Sequence, residues 1–420
     1  MNDSKVRSRL KAQLSKFCTA LCAKLSKPQG KFVAQMLYGI QSSQDVKLSN
    51  IGRALGEEIP LIRTEKRLSR NLQHAELEEL LSNQLVELAS PRIQENTVLA
   101  LDLSDIHKAY AEKMEHLAYV WDGSAGEKHP GYWLLDVTAA EVQSSEIVPV
   151  CQKLFSAKAE EFVSENAEIL AIIDQVNQPL QGRGIWTMDR GCDRIKLLEP
   201  LLDKHLHFVI RSTGERQVID RRGRQRTIAE VALGCRLPYQ ASVVRIDKGK
   251  EKKYQLRYGA APIRLAGREE PLWLVVVAGF GKQPILLLTN LKLRARDSES
   301  LWWAAQIYGT RWKIEETFRF IKQSYNLEDI RVLKYRRLKN LVVLVTAAAY
   351  FAATYLGQKM KLRILSEKLL VISQRFFGIP PFRFYALADG IRRLLSGSAF
   401  PRNTKSPTED QLDLNLIWAT

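Results

Sequence analysis

At 420 residues, 45% of them hydrophobic, the chain has room for two or three domains with full cores that need no disulfide staples. Its formal charge of +17 and pI near 9.6 point to a polyanionic partner, because each phosphate neutralised releases condensed counterions; plain solubility or a basic compositional bias is the alternative. Five scattered cysteines (Cys18, Cys22, Cys151, Cys192, Cys235) include no C-x-x-C pair, which argues against a disulfide framework or zinc site and makes a reducing cytosol the default.

Met1 to Lys5 leads into no apolar signal core, so secretion is not indicated. Residues 1–90 read as helices, and Lys and Arg outnumber Asp and Glu by 14 to 5 over residues 1–70. Ser49 is placed to N-cap a short helix that Gly56 ends, and a second helix is expected from Pro60. That second helix carries Arg63, Lys66, Arg67 and Arg70 as a basic stripe, with Leu61, Leu68 and Leu72 turned elsewhere. Two short helices around a glycine-containing turn suit a helix-turn-helix DNA reader, although basic helix faces are also common as plain solvated surface.

From Thr97 the pattern changes. Residues 97–101 form a short apolar run that ends on Asp102, the pattern of a buried strand with a carboxylate at its end. Residues 132–137 and 147–150 are two further strand candidates, and 157–176 has helical spacing. Ile185 to Met188 is again an apolar run ending on an aspartate, Asp189; a helix over 193–204 and a strand over 208–211 follow. Strands followed by alternating helix and strand predict an α/β layer with a mixed sheet. Residues 213–290 read mainly as β-strands separated by basic turns, one holding Arg216, Arg221, Arg222, Arg224 and Arg226, another Lys248, Lys250, Lys252 and Lys253.

Helix resumes near Ser298. As one continuous helix at roughly 100° per residue, 308–322 puts Tyr308, Arg311, Glu315 and Lys322 within an arc of about 60°, beside an apolar stripe of Ile307, Ile314, Phe318 and Ile321. Taken alone, this is also what a salt-bridged amphipathic helix looks like, Arg311 and Glu315 being an i,i+4 pair. Leu341 to Leu356 is mostly apolar, but it is shorter than the ~20 residues a bilayer requires and carries Thr346, Tyr350 and Thr354, so a buried helix is expected. Helices run on to about Leu395, and Pro401, Pro407 and many polar residues suggest a loosely ordered tail.

The aspartates at two strand ends can converge with the helical Glu315 if the strands share a sheet. Three converging carboxylates need a compensating cation, and hard oxygen ligands suit Mg²⁺ or Mn²⁺. Two such ions can hold the attacking and leaving oxygens of a phosphodiester exchange. Any one of the three acids alone would read as a cap or a surface charge. Asp105 is a nearby lookalike, but Asp102 directly ends the apolar run; Asp193 can cap the next helix, Glu316 lies off the polar arc, and Asp136 sits inside a strand.

The spacing Tyr-x2-Arg-x3-Glu-x6-Lys, met by Tyr308, Arg311, Glu315 and Lys322, resembles the YREK signature of bacterial insertion-sequence transposases, cut-and-paste enzymes of the DDE class. The resemblance implies an α/β fold: an RNase H-like mixed-sheet core with an inserted β-subdomain, flanked by helical N- and C-terminal regions. The corresponding division is 1–90 for DNA binding, 91–212 for the first part of the core, 213–290 for the insertion, 291–340 for the catalytic helix and 341–420 for C-terminal helices and tail. It further implies that Asp102, Asp189 and Glu315 are catalytic and hold two Mg²⁺ or Mn²⁺ ions, while Tyr308, Arg311 and Lys322 contact the cleaved DNA end. The partners implied are transposon ends, target DNA and a second copy of the chain in a synaptic dimer, in a bacterial cytoplasm at the nucleoid. Two departures stand out. Arg194 occupies a place where the family often has an aromatic residue, and strand 285–289 lacks the tryptophan that holds a flipped base, leaving either Trp273 on the preceding strand or another surface for that role. A non-transposing nuclease on the same core and a silent DNA-binding regulator are the competing readings.

Overall fold

A computed structural model describes residues 3–108, 111–122, 126–247, 250–294, 296–357, 360–372, 383–396 and 400. Five helices open the chain: α1 (Asp3–Leu21), α2 (Lys27–Ser43), α3 (Leu48–Leu55), α4 (Leu61–Asn71) and α5 (Leu77–Ala89). Strands β1 (Val98–His107), β2 (Ala118–Asp122), β3 (Glu127–Ala140) and β4 (Val148–Phe155) follow, then α6 (Glu165–Leu180), β5 (Ile185–Met188), α7 (Ile195–Asp203) and β6 (His207–Arg211). Next come β7 (Gln217–Asp220), β8 (Gln225–Thr227), α8 (Ile228–Leu233), β9 (Tyr239–Asp247), β10 (Lys250–Leu265), β11 (Leu272–Ala278) and β12 (Ile285–Thr289). Helices α9 (Ser298–Thr310), α10 (Trp312–Tyr325), α11 (Tyr335–Ala353), α12 (Met360–Ile372) and α13 (Phe384–Leu395) close the described chain.

The strands form one mixed sheet. β1 pairs antiparallel with β3, which pairs with β4, while on its other side β1 runs parallel to β5 and β5 to β6. This antiparallel half joined to a parallel half is the RNase H-like mixed-sheet core that the resemblance leads one to expect. β12, β11 and β10 extend the same sheet beyond β6, each antiparallel to its neighbour.

Local chemistry accounts for most element ends. Gly56 closes α3 in the left-handed region at φ 61°, which a residue without Cβ adopts at little cost. Pro60 is the cap before α4 rather than its first residue, and the cap of α3 is Lys47, not Ser49. The helix expected from 157 starts only at Glu165, where the Ser164 side chain accepts from the Ala167 amide. Pro130 and Gly131 lie inside β3, ahead of the strand expected from 132, and a Cβ on residue 131 would fall 2.4 Å from the Ile106 carbonyl oxygen. The expected tail from 401 lies outside the described residues.

α11 is the central pillar. Twelve consecutive residues, Leu341 to Ala352, are buried, and the helix packs between β4 on one side and α2 and α5 on the other. Its polar groups are tied in from both sides. Thr346 Oγ1 donates to Gln152 Oε1 on β4 at 2.7 Å, and Gln41 Nε2 on α2 donates to the Ala348 carbonyl at 2.7 Å. Asn340 Nδ2 donates to the carbonyls of Leu72 and His74, each at 2.8 Å. Among the described residues no helix is long and apolar enough to cross a membrane.

Candidate active site

Asp102 lies within β1, not at its end. β3 pairs along the full length of β1, so the strand continues to His107. The parallel partner β5 is shorter, pairing Val98 with Ile185, Leu99 with Trp186 and Ala100 with Thr187. Carried two residues further, that register puts Asp102 level with Asp189, just where β5 stops and leaves one flank of β1 open. Strand alternation turns Asp102 to the face of Val98, which α9 covers through Leu301, Ala304, Ile307 and Tyr308. Asp189 caps the short turn after β5, its Oδ1 accepting from the Gly191 amide at 2.8 Å.

The continuous helix expected over 308–322 is broken at Arg311, the junction of α9 and α10. The Arg311 amide reaches the Tyr308 carbonyl at 3.1 Å and the Ile314 amide the Arg311 carbonyl at 2.9 Å, three-residue steps that tighten the turn. Thr310 adds to this by donating its hydroxyl to the Gln306 carbonyl at 2.9 Å, a contact that bends helices. Tyr308, Arg311 and Glu315 still meet around the guanidinium of Arg311, while Lys322 pairs separately with Asp105 and Glu328. Tyr308 is buried under α9, and Arg311 is buried at the junction with its guanidinium carbon 5.8 Å from the Tyr308 ring centre and 5.8 Å from that of Trp312. Glu315 is more open, and Lys322 stands two turns further along α10.

Arg311 joins the carboxylates. Its Nη1 donates to Asp102 Oδ2 at 2.6 Å and its Nη2 to Glu315 Oε1 at 3.0 Å, with only 8% of its side chain exposed. Burial pushes the Asp102 carboxyl up to about 6; the Arg311 guanidinium pulls it down, and the charges of Asp189 and Glu315 push it up again. Asp102 thus feels both Asp189 and Glu315, and Arg311 supplies the cation that bridges Asp102 to Glu315. Lys322 pairs with Asp105 at 3.6 Å and Glu328 at 3.1 Å, which gives the lookalike Asp105 a partner of its own.

α10 is held by packing and by one side chain. Ile314, Phe318 and Ile321 are buried as the pattern predicts, and Phe320 is buried too, against Tyr325, Phe384 and Tyr385. Lys313 Nζ donates to the carbonyls of Glu141 at 2.7 Å and Ser144 at 2.5 Å, fixing the first turn of α10 to the end of β3.

Asp136, directly opposite Asp102 in the β1–β3 register, is fully buried. It accepts from Gln152 Nε2 at 2.9 Å and Thr138 Oγ1 at 3.3 Å, and burial pushes its carboxyl up to about 7. Its place inside an apolar strand run is the only sequence signal that could have flagged it. Asp193 does not cap α7; it accepts from Ser212 Oγ at 2.6 Å and the Thr213 amide at 3.0 Å, and pairs with Arg216 at 2.5 Å. Arg194 is taken up by Glu165 and Asn166 at the start of α6. Trp273 sits on β11 opposite Thr289, half-buried.

The basic stripe on α4 divides. Arg63, Lys66 and Arg70 are exposed, whereas Arg67 turns inward to Glu57 and Gln35, both at 2.6 Å. Of the basic turns, Arg216 is engaged with Asp193 and Arg224 with Asp220, while Lys248 lies outside the described residues.

Among the described residues no three His, Cys, Asp or Glu side chains are grouped tightly enough to hold a metal ion as they stand. The donor set still fits a hard divalent cation in kind: carboxylate oxygens only, mutually repelling, and already arranged around one positive charge.

The mixed sheet sets two acids level on adjacent parallel strands, with a third on α10 held to one of them through Arg311. Residues 121–351, just over half of the chain, match the family described as Transposase DDE domain, and the chain belongs to that family. No curated protein matches it by sequence. A solved piggyBac transposase synaptic complex with hairpin DNA overlaps 97% of this chain and 86% of that one at 10% identity, with a TM-score of 0.42, too loose a likeness to carry further meaning.

Proposed function

We propose that this chain is a DNA transposase of the bacterial YREK type, which binds terminal inverted repeats, pairs two ends in a homodimer and performs cut-and-paste cleavage and strand transfer. The observation that carries the reading is the Asp102–Arg311–Glu315 bridge beside Asp189: residues far apart in sequence meet at the open flank of β1. In this reading Asp102, Asp189 and Glu315 are the ligands of two Mg²⁺ or Mn²⁺ ions, and Arg311 gives up Asp102 and Glu315 to them. The chemistry such ions supply is activation of water and neutralisation of charge on the phosphodiester. Tyr308 supports Arg311 from beneath, Arg311 and Lys322 meet phosphates of the DNA end, and no side chain is needed as a covalent nucleophile. The buried junction at Arg311 restricts its rotamers, so positioning is the main contribution of the protein. Residues 1–90 serve as the end-binding region, with Arg63, Lys66 and Arg70 outward and Arg67 bracing α4.

The test is Glu315→Ala and Glu315→Gln on a duplex carrying the flanking inverted repeat. Cleavage in Mg²⁺ should fall by about 10³-fold or more while end binding stays within about twofold. If binding falls in step with cleavage, Glu315 is not an ion ligand.

A further inference from the structure

A groove of about 340 Å³ lies between α4 and the turn at residues 331–332, lined by Lys47, Ser49, Glu65, Lys66, Ser69 and Arg331 among others. Lys66 and Arg331 are exposed and make no ion pair among the described residues, whereas Lys47 is engaged with Asp329 and Asp45. Ser69 Oγ accepts from Arg337 Nη1 at 2.7 Å, which leaves its own proton to donate. A cation and a hydroxyl donor on the α4 wall, facing a second cation on the wall at 331–332, are the groups that a phosphate diester binds.

The far wall is tied to the carboxylate site. Lys108, at the end of β1, donates its Nζ to the Ile330 carbonyl at 2.8 Å and also to the Glu328 carbonyl. The Glu328 side chain pairs with Lys322 of α10, and Asp329 pairs with Lys47 beside α3. A phosphate held by Arg331 is therefore tied to the start of α3 and to α10 by short, direct contacts of the neighbouring residues.

We propose that this groove grips a backbone phosphate of duplex DNA, with Lys66 and Arg331 as positioning residues that set the register of the duplex between α4 and the carboxylates. The inference rests on the DNA-processing reading above and goes beyond it by naming the surface. Glu65 on the same wall opposes the phosphate and tempers the affinity.

The experiment measures binding of the full chain to a short duplex of arbitrary sequence by fluorescence anisotropy across a salt series. Lys66→Ala combined with Arg331→Ala should lower the slope of log K against log salt by at least about one and weaken binding equally for unrelated sequences. Glu65→Gln should tighten binding at low salt, a gain that misfolding cannot produce. An unaltered slope in the double variant, with steep salt dependence in the parent, removes the groove while leaving the DNA reading intact. No duplex binding by the parent removes both.

Discussion

Arg311 and Asp136 show how differently two charged groups can be accommodated a few ångströms from the same carboxylate. Arg311 is almost fully buried, yet it faces two acids and stays charged, at the cost of an Nε without a hydrogen-bond partner among the described residues. Asp136 has no cation; two neutral donors are all that offsets its desolvation, and its folded value near 7 lies above the 3.8 of an unfolded aspartate. The folded state therefore holds the proton that the unfolded state has released, and stability falls as pH rises from about 4 through about 7. Asp136→Asn keeps an acceptor for Gln152, turns an amide NH2 towards the Thr138 hydroxyl oxygen, which can accept, and removes the titration. It should raise the unfolding free energy above pH 7 by about 4 kcal/mol and leave it unchanged in acid. Denaturant melts on either side of that window check this; an equal shift at both pH values would mean that packing, not charge, is responsible.

At the scale of elements, the N-terminal helices depend on one close approach. Gly39 of α2 lies against Ile51 of α3, where an added Cβ would fall 2.5 Å from Ile51 Cγ2. Alanine would gain about 1 kcal/mol of helix propensity, but overpacking a tight helix contact costs about 1–3 kcal/mol. Gly39→Ala should therefore destabilise the chain on balance and shift α3 with α4, weakening duplex binding more than it lowers the melting temperature of the whole. A variant as stable as the parent and binding as tightly would show that α3 relaxes freely. The break between α9 and α10 is the second decisive element feature. It lets α9 bury Tyr308 on the sheet while α10 presents Glu315 towards Arg311.

For the whole molecule, the charge of +17 is divided between cations that hold the fold and cations that face outward. Arg67, Arg194, Arg216 and Arg311 all hydrogen-bond to acids of other segments or the next turn. Arg63 and Arg70 do not, among the described residues, and they stand on the exposed face of α4. Arg63→Ala with Arg70→Ala should reduce the salt slope of duplex binding by about two at unchanged stability, whereas Arg67→Ala should lower stability by about 1–3 kcal/mol. Parallel anisotropy and denaturation measurements separate the two; a slope unchanged in the first variant would exclude α4 as a DNA-facing helix.

Much of this arrangement is written locally. The apolar runs before Asp102 and Asp189, the β11 and β12 strands, the start of α9 at Ser298 and the αL glycine after α3 follow from periodicity, capping and β-branched content, which act over a few residues. The constant offset between β1 and β5 that sets Asp102 level with Asp189 is also latent in the chain, but only sheet pairing gives it meaning. What tertiary structure alone decided is which polar group meets which. The extension of β1 past Asp102 comes from its partner β3, and the inward turn of Arg67 comes from Glu57 and Gln35. The bridge from Arg311 to Asp102 joins residues 209 apart. A helical wheel treats 308–322 as one rigid rod and cannot anticipate the tightened turn at Arg311, where Thr310 bonds back to the Gln306 carbonyl.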